Sequence, residues 1–131
     1  MIIDTSALIA VLLDEPERGE FEVLIAASPQ PQLSAASYVE AGVVIDRRGD
    51  PNRARILDSF LDAADIAIEP VTAEQAMIAR QAYRDFGRGS GHPAGLNFGD
   101  CFAYALAKAH DESMLFKGDD FEHTDIRSAR P

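Results

Sequence analysis

The stretch that decides the fold is Met1-Ile2-Ile3-Asp4-Thr5-Ser6. Three consecutive apolar residues predict a strand that is buried from its first residue. The carboxylate of Asp4 follows, and then the hydroxyls of Thr5 and Ser6, either of which can cap a helix over residues 7–13. In an open parallel sheet such a turn lies at the carboxyl end of the strand, where ligands usually bind. Asp4 is therefore expected to handle a metal ion or phosphate, with turn formation or capping as the alternative role.

Composition predicts one ordinary globular domain over residues 1–131. The hydrophobic share is 47% and the charged share 26%, which are values typical of a globular protein with its own core. The one cysteine, Cys101, excludes a disulfide framework and favours a reducing compartment. No signal peptide or long apolar run is present. We therefore expect a cytoplasmic protein without a membrane partner.

The formal net charge of −10 argues against indiscriminate binding to nucleic acid, because such binding depends on neutralising phosphates. It does not exclude nucleic acid as a substrate. Carboxylates that hold divalent cations present positive charge once they are loaded.

Short apolar segments alternate with helical patterns along the chain. Strands are expected at residues 1–3, 32–34, 66–68 and 114–116, with a short edge strand near Ile126. Helices are expected at residues 7–13, 16–27, 35–48, 51–61, 73–86 and 97–110. The alternation predicts an α/β fold of three layers, in which a central parallel sheet of four or five strands is flanked by helices. Right-handed crossovers would bring the carboxyl ends of the strands to one edge.

Glu40 and Asp100 are charges on otherwise apolar helices. A charge on an apolar face must be paired or neutralised, and for Glu40 the alternative to a functional role is pairing with Arg47. Asp100 lies three residues after Asn97, so a capping box at the start of the helix explains it equally well. The functional alternative is that both carboxylates bind an ion near the strand ends.

Asp119 and Asp120 follow Lys117-Gly118, directly after the last strand. Turn chemistry explains one of the two carboxylates, and the other leaves a strand at the same edge as Asp4. The predicted acids Asp4, Glu40, Asp100 and Asp119 or Asp120 thus converge on one site. Carboxylates without a Cys/His cluster suit Mg²⁺, for which Mn²⁺ can substitute. Such sites hydrolyse phosphodiester bonds.

At these residues the chain resembles the PIN-domain ribonucleases, and specifically the VapC-type toxins of VapBC toxin–antitoxin pairs. Four pieces carry the resemblance, and their order and spacing are more specific than any one of them: Met1-Ile2-Ile3-Asp4-Thr5-Ser6-Ala7, Ser37-Tyr38-Val39-Glu40, Asn97-Phe98-Gly99-Asp100 and Leu115-Phe116-Lys117-Gly118-Asp119-Asp120-Phe121.

The resemblance implies a PIN-like fold, Mg²⁺-dependent cleavage of RNA (tRNA or rRNA), and inhibition by a VapB-like antitoxin, in a homodimer or a toxin–antitoxin hetero-oligomer. Asp4, Glu40 and Asp100 correspond well to the family's acids. The family often has a further acid where this chain has Gly118, so Asp119 or Asp120 must serve, and Asp119 is slightly favoured as the residue nearer the strand. Thr5 or Ser6 is expected to order a metal-bound water or a carboxylate.

Arg80, Arg84 and Arg88 are spaced by four residues and form one stripe on the predicted helix and the loop after it. Such a stripe is either a solvated face or a track for an RNA backbone.

Two other functions remain open on sequence grounds. A phosphatase of the haloacid-dehalogenase type also begins with an Asp after its first strand, but it needs a second acid two residues later, where this chain has Ser6. A PIN-like module that binds RNA or a protein without cleavage is the other alternative, and the intact set of acids argues against it.

Overall fold

Short apolar segments pair to form the central sheet. The computed structural model describes residues 1–131 and contains a four-stranded parallel sheet in the order β3-β2-β1-β4. The strands are β1 (Ile2–Ile3), β2 (Gln32–Ser34), β3 (Ala67–Glu69) and β4 (Met114–Leu115). In the register of the sheet, Ile2 lies opposite both Gln32 and Met114. The predicted parallel α/β arrangement is confirmed.

Six α-helices and one short 3₁₀ helix connect the strands. They are α1 (Thr5–Leu12), α2 (Arg18–Ala27), α3 (Ala35–Asp46), α4 (Pro51–Ala63), α5 (Ala73–Phe86), α6 (Phe98–His110) and the 3₁₀ helix at Asp120–His123. None of these helices is both long and apolar enough to cross a membrane.

Neighbouring residues of a strand point to opposite faces of the sheet, and this alternation builds two separate cores. Ile2 and Met114 face a core that contains α5 and α6, whereas Ile3 and Leu115 face a core that contains residues of α1 to α4. All four side chains are fully buried. The sheet therefore separates two layers of helices, as the three-layer prediction requires.

The first helix begins earlier than expected and has a different cap. Asp4, rather than Thr5 or Ser6, is the N-cap of α1, because its carboxylate accepts a hydrogen bond from the Ser6 N–H at 2.9 Å. Thr5 is consequently the first residue of the helix, and Leu12 is its last. The prediction that Thr5 or Ser6 caps this helix was wrong, because the Asp4 carboxylate already accepts a hydrogen bond from a free N–H of the first turn.

The start of the third strand and the expected edge strand also differ from the prediction. Ile66 lies outside β3 because its N–H donates to the Leu61 carbonyl and closes the end of α4. No fifth strand forms near Ile126. Instead Ser128 makes one isolated parallel pairing with Met114 at the free side of β4, so the sheet has four strands.

Candidate metal centre

Four acids from separate elements meet at the carboxyl edge of the sheet. Asp4 follows β1, Glu40 lies on α3, Asp100 is in the first turn of α6, and Asp120 opens the 3₁₀ helix after β4. The charges of Asp100 and Glu40 help to raise the pKa of Asp4, and those of Asp120 and Glu40 help to raise the pKa of Asp100. Their mutual repulsion shows that these carboxylates share one electrostatic environment.

Asp4 is the most deeply placed of the four, with only 3% of the residue exposed. Burial is the main cause that raises its pKa from 3.8 to about 7, against the lowering effect of its two hydrogen bonds from Ser6. Both bonds fall on Oδ2, from the Ser6 N–H at 2.9 Å and from the Ser6 Oγ at 2.6 Å. The other oxygen, Oδ1, is left free to bind a ligand.

Ser6 links this carboxylate to the loop that carries the fourth acid. Its Oγ donates to Asp4 and accepts a hydrogen bond from the Lys117 N–H at 3.0 Å. Of the two hydroxyl residues expected to support the site, Ser6 is therefore the one that orients a carboxylate. The hydroxyl of Thr5 is buried and has no hydrogen-bond partner in the chain, which leaves it available to a bound water.

Glu40 packs directly against the first turn of α6. A Cβ built at Gly99 would overlap the Glu40 carboxylate and lie 2.8 Å from its Oε1. A side chain at position 99 would therefore push the flexible end of Glu40 away from this place. The sequence analysis overlooked this role of Gly99, although its position beside Asp100, within one of the four matching pieces, was a usable signal.

Asp100 is both a helix cap and a member of the acidic group. Its Oδ2 accepts a hydrogen bond from the Asn97 N–H at 3.0 Å, while the Asn97 Oδ1 accepts one from the Asp100 N–H at 2.8 Å. This is the reciprocal capping box expected from the sequence. Burial is the main cause that raises the pKa of Asp100, opposed by the Asn97 hydrogen bond and the positive charge of Arg88. The two roles considered as alternatives are therefore compatible.

The loop after β4 places its two aspartates differently. Gly118 has a φ of +91°, which suits glycine, and Phe121 anchors the loop in the core against Phe116 at a ring distance of 5.3 Å. Of the neighbouring carboxylates, Asp120 raises the pKa of Asp100 the most. Asp119 precedes the 3₁₀ helix and makes no capping hydrogen bond there. This arrangement favours Asp120 over Asp119 as the fourth acid.

Lys117 holds the same loop from the other side. Its Nζ forms an ion pair with Glu15 and a second, at 3.2 Å, with Glu17. Both glutamates lie between α1 and α2, so the pair is a long-range contact that no local sequence pattern signals. It was missed in the sequence analysis.

The donor atoms of this centre are those that Mg²⁺ and Mn²⁺ prefer. All four side chains offer carboxylate oxygens, and hard divalent cations bind such oxygens. No three Asp, Glu, His or Cys side chains anywhere in the chain are yet close enough to hold an ion together. Burial is the main cause of the raised pKa values of Asp4 and Asp100, and the charges of neighbouring acids add to it. A bound cation would offset both effects. The donor chemistry of these residues therefore fits such an ion.

The arginine stripe lies beside this centre. Arg80 and Arg84 are exposed on α5, and Arg88 is exposed in the following loop, where its charge acts on Asp100. None of the three forms an ion pair, although the chain has 22 acidic residues.

Cys101, adjacent to Asp100, is a core residue rather than a nucleophile. Its thiol is buried and donates to the Asn97 carbonyl at 3.3 Å. Burial raises its pKa to about 11, which keeps the thiol protonated at neutral pH.

Comparison with known proteins places the chain among nucleases. The model of the PIN domain family matches residues 1–127. The chain is 53% identical over 129 residues to Ribonuclease VapC28 of Mycobacterium tuberculosis, covering 98% of this chain and 97% of that protein. It is 50% identical over 127 residues to Ribonuclease VapC30 of the same organism, covering 96% and 95% respectively.

Solved structures share the fold at low sequence identity. The crystal structure of Mycobacterium tuberculosis VapC20, a sarcin-ricin loop cleaving toxin, has a TM-score of 0.77 at 20% identity, covering 99% of this chain and 98% of that one. A toxin-antitoxin complex from Klebsiella pneumoniae has a TM-score of 0.71 at 16% identity, covering 98% and 96%.

Proposed function

Because the chain belongs to the PIN domain family, we propose that it is a metal-dependent endoribonuclease toxin of the VapC type, which hydrolyses phosphodiester bonds in RNA. The observation that carries the proposal is the buried carboxylate of Asp4, whose pKa is raised to about 7 beside two further acids. Carboxylates buried beside one another are unfavourable unless a cation or a proton compensates their charge. Relatives about half identical to this chain are named as ribonucleases.

Asp4, Glu40, Asp100 and Asp120 are the residues that would hold Mg²⁺ or Mn²⁺. The bound cation would supply Lewis-acid stabilisation and a more acidic water. Ser6 keeps Oδ2 of Asp4 occupied, so that Oδ1 faces the ligand. Thr5, with its unpartnered buried hydroxyl, is the candidate to hold a water. Asp119 is the weaker candidate for the fourth acid.

RNA is the proposed substrate, with tRNA or rRNA as the class of molecule. Arg80, Arg84 and Arg88 support this part of the proposal, because three exposed arginines without acidic partners offer charge to a phosphate backbone. A VapB-like antitoxin is the proposed inhibitor, in the cytoplasm, and the assembly is a homodimer or a toxin–antitoxin hetero-oligomer. The acidic net charge of −10 favours a basic partner segment.

The test is an RNA cleavage assay with the metal-stripped protein, to which Mg²⁺ or Mn²⁺ is added back. Asp4→Asn and Asp100→Asn should each reduce metal-dependent cleavage by at least about 100-fold, because each removes one charged ligand. Asp62→Asn is the matched control, since Asp62 is exposed and makes no side-chain hydrogen bond or ion pair.

Three results would contradict the proposal. Cleavage that persists in either site variant would remove the acidic centre from the mechanism. RNA binding without cleavage by the wild type, at every metal concentration, would favour the non-cleaving module. Hydrolysis of a phosphomonoester but not of RNA would favour the phosphatase.

A further inference from the structure

Phe98 is the most exposed large apolar side chain of the protein. It is 78% exposed, although it lies in the first turn of α6 only two residues before Asp100. Its ring contacts Phe102 edge to face, with centroids 4.9 Å apart. Single exposed apolar residues are common on protein surfaces, but Phe98 shares one groove with a second exposed aromatic residue, Tyr83, and a contiguous apolar patch is a feature of binding sites.

The ring borders an apolar groove between α5 and α6. The groove is lined by Ala76, Ala79, Arg80, Tyr83, Phe98, Cys101 and Phe102. Tyr83 is 45% exposed on its opposite wall, and its hydroxyl donates to the Arg88 carbonyl at 3.2 Å. The groove therefore offers aromatic faces, and the Tyr83 hydrogen bond connects it to the loop that carries Arg88.

Positive charge surrounds this groove in an acidic protein. Arg80 is part of its lining, Arg84 follows one turn later on α5, and Arg88 acts on Asp100. The two acids of α5, Glu74 and Asp85, form no ion pair with them, and Asp85 is engaged by Gln81 at 3.1 Å. Aromatic faces beside unpaired arginines are the combination that binds single-stranded nucleic acid. Positive charge beside the groove therefore favours a polyanion as its occupant.

We infer that Phe98 is a positioning residue on which a base of single-stranded RNA stacks, next to the bond that is cleaved. This inference rests on the proposed function and goes beyond it, because it names the unpaired state of the substrate and the side chain that receives it. The base lies over the Phe98 ring, and the phosphates on either side run along Arg80 and Arg88. Stacking on a side chain two residues from Asp100 orients the backbone at the acids without reading sequence.

The test compares Phe98→Leu, which keeps an apolar residue but removes the ring, with Phe98→Trp, which keeps a larger ring. The probe is an unstructured RNA oligonucleotide that contains 2-aminopurine, with Ca²⁺ present and with its integrity checked on a gel afterwards. Quenching of 2-aminopurine fluorescence reports stacking directly. Val23→Ala is the control, because Val23 is also 67% exposed but lies on α2.

The expected result is that Phe98→Leu binds the oligonucleotide about tenfold more weakly and loses the quenching, while Phe98→Trp and Val23→Ala behave like the wild type. In cleavage assays the loss should appear mainly in KM for single-stranded RNA. Equal quenching and affinity in Phe98→Leu and the wild type would overturn the inference while leaving the ribonuclease proposal intact.

The remaining alternative is that the groove is a protein–protein interface, and the oligomeric state tests it. If Phe98→Leu lowers the mass measured by sedimentation, or abolishes capture of an antitoxin without changing RNA affinity, the groove is a protein interface and the inference is wrong. If the wild type neither binds nor cleaves RNA, both this inference and the proposed function fail.

Discussion

Asp4→Asn should make the stability of the metal-free protein much less sensitive to pH in the range where the wild type loses stability. Asp4 is 3% exposed, and its pKa is raised from 3.8 to about 7, mainly by burial. A group whose pKa is higher in the folded state holds its proton more tightly there. Its favourable contribution is complete below pH 3.8 and is lost as the pH rises through about 7.

The magnitude follows from the linkage between proton binding and folding. At pH 5 the folded chain holds nearly one more proton at Asp4 than the unfolded chain does, and at pH 7 it holds about half a proton more. A full proton difference removes about 1.4 kcal/mol from the free energy of unfolding per pH unit, so about 2.3 kcal/mol is lost over this range. For a domain of this size, such a loss lowers the melting temperature by roughly 10 °C.

The measurement is urea unfolding followed by circular dichroism at several pH values between 5 and 8, with protein stripped of metal. The wild type and Asp62→Asn should lose stability with rising pH, whereas Asp4→Asn should lose much less. The amide keeps an oxygen to accept the hydrogen bonds from Ser6 that cap α1, so the cap itself survives. At pH 8, millimolar Mn²⁺ should stabilise the wild type more than Asp4→Asn, because the ion binds the folded form.

Parallel pH profiles for the wild type and Asp4→Asn would refute the reasoning, since they would place the titration elsewhere. If the wild type instead becomes more stable than the variant as the pH rises, folding lowers the pKa of Asp4 rather than raising it.

Three further predictions concern the residues around the acids. Gly99→Ala should reduce cleavage by roughly tenfold or more with little loss of unfolding free energy, because the added Cβ meets the flexible end of Glu40 and displaces its carboxylate; Gly19→Ala, where nothing lies within 4 Å, is the control, and unchanged cleavage in Gly99→Ala would show that the position of Glu40 does not matter. Asp120→Asn should lower cleavage by roughly tenfold or more, whereas Asp119→Asn should stay within a factor of about two of the wild type; the reverse order in rate measurements would reassign the fourth acid. Lys117→Met should reduce the cleavage rate while changing the melting temperature little, because the ion pairs with Glu15 and Glu17 position the loop. A clear drop in melting temperature with an unchanged cleavage rate would make the contact merely structural.

The sequence was sufficient for the fold because each local signal agreed with the others. Short segments with apolar residues predicted the strands, and the family resemblance carried by the four pieces is confirmed by the PIN domain match over residues 1–127. Asn97 and Asp100 form the expected capping box. These features depend on neighbours within a few residues, which is the range at which a sequence can be read directly.

The features that escaped prediction depend on distance in the chain. Glu40 is 59 positions from Gly99, so their close packing cannot be seen in either local pattern. The ion pair of Lys117 with Glu15 spans 102 positions. Nearness to the strand slightly favoured Asp119 in the sequence, whereas the surroundings of Asp100 favour Asp120; the choice depends on how the 3₁₀ helix turns after Gly118.

One of the candidate acids, Asp4, is also the N-cap of the helix that follows it, and this constrains how such a protein can lose its activity by drift. Replacement of Asp4 by alanine removes the cap and costs about 1 kcal/mol, in addition to any effect on cleavage. Asparagine is a good cap as well, and a single nucleotide change converts an aspartate codon to an asparagine codon. A lineage that abandons cleavage but keeps its fold should therefore carry asparagine at this position more often than any other residue.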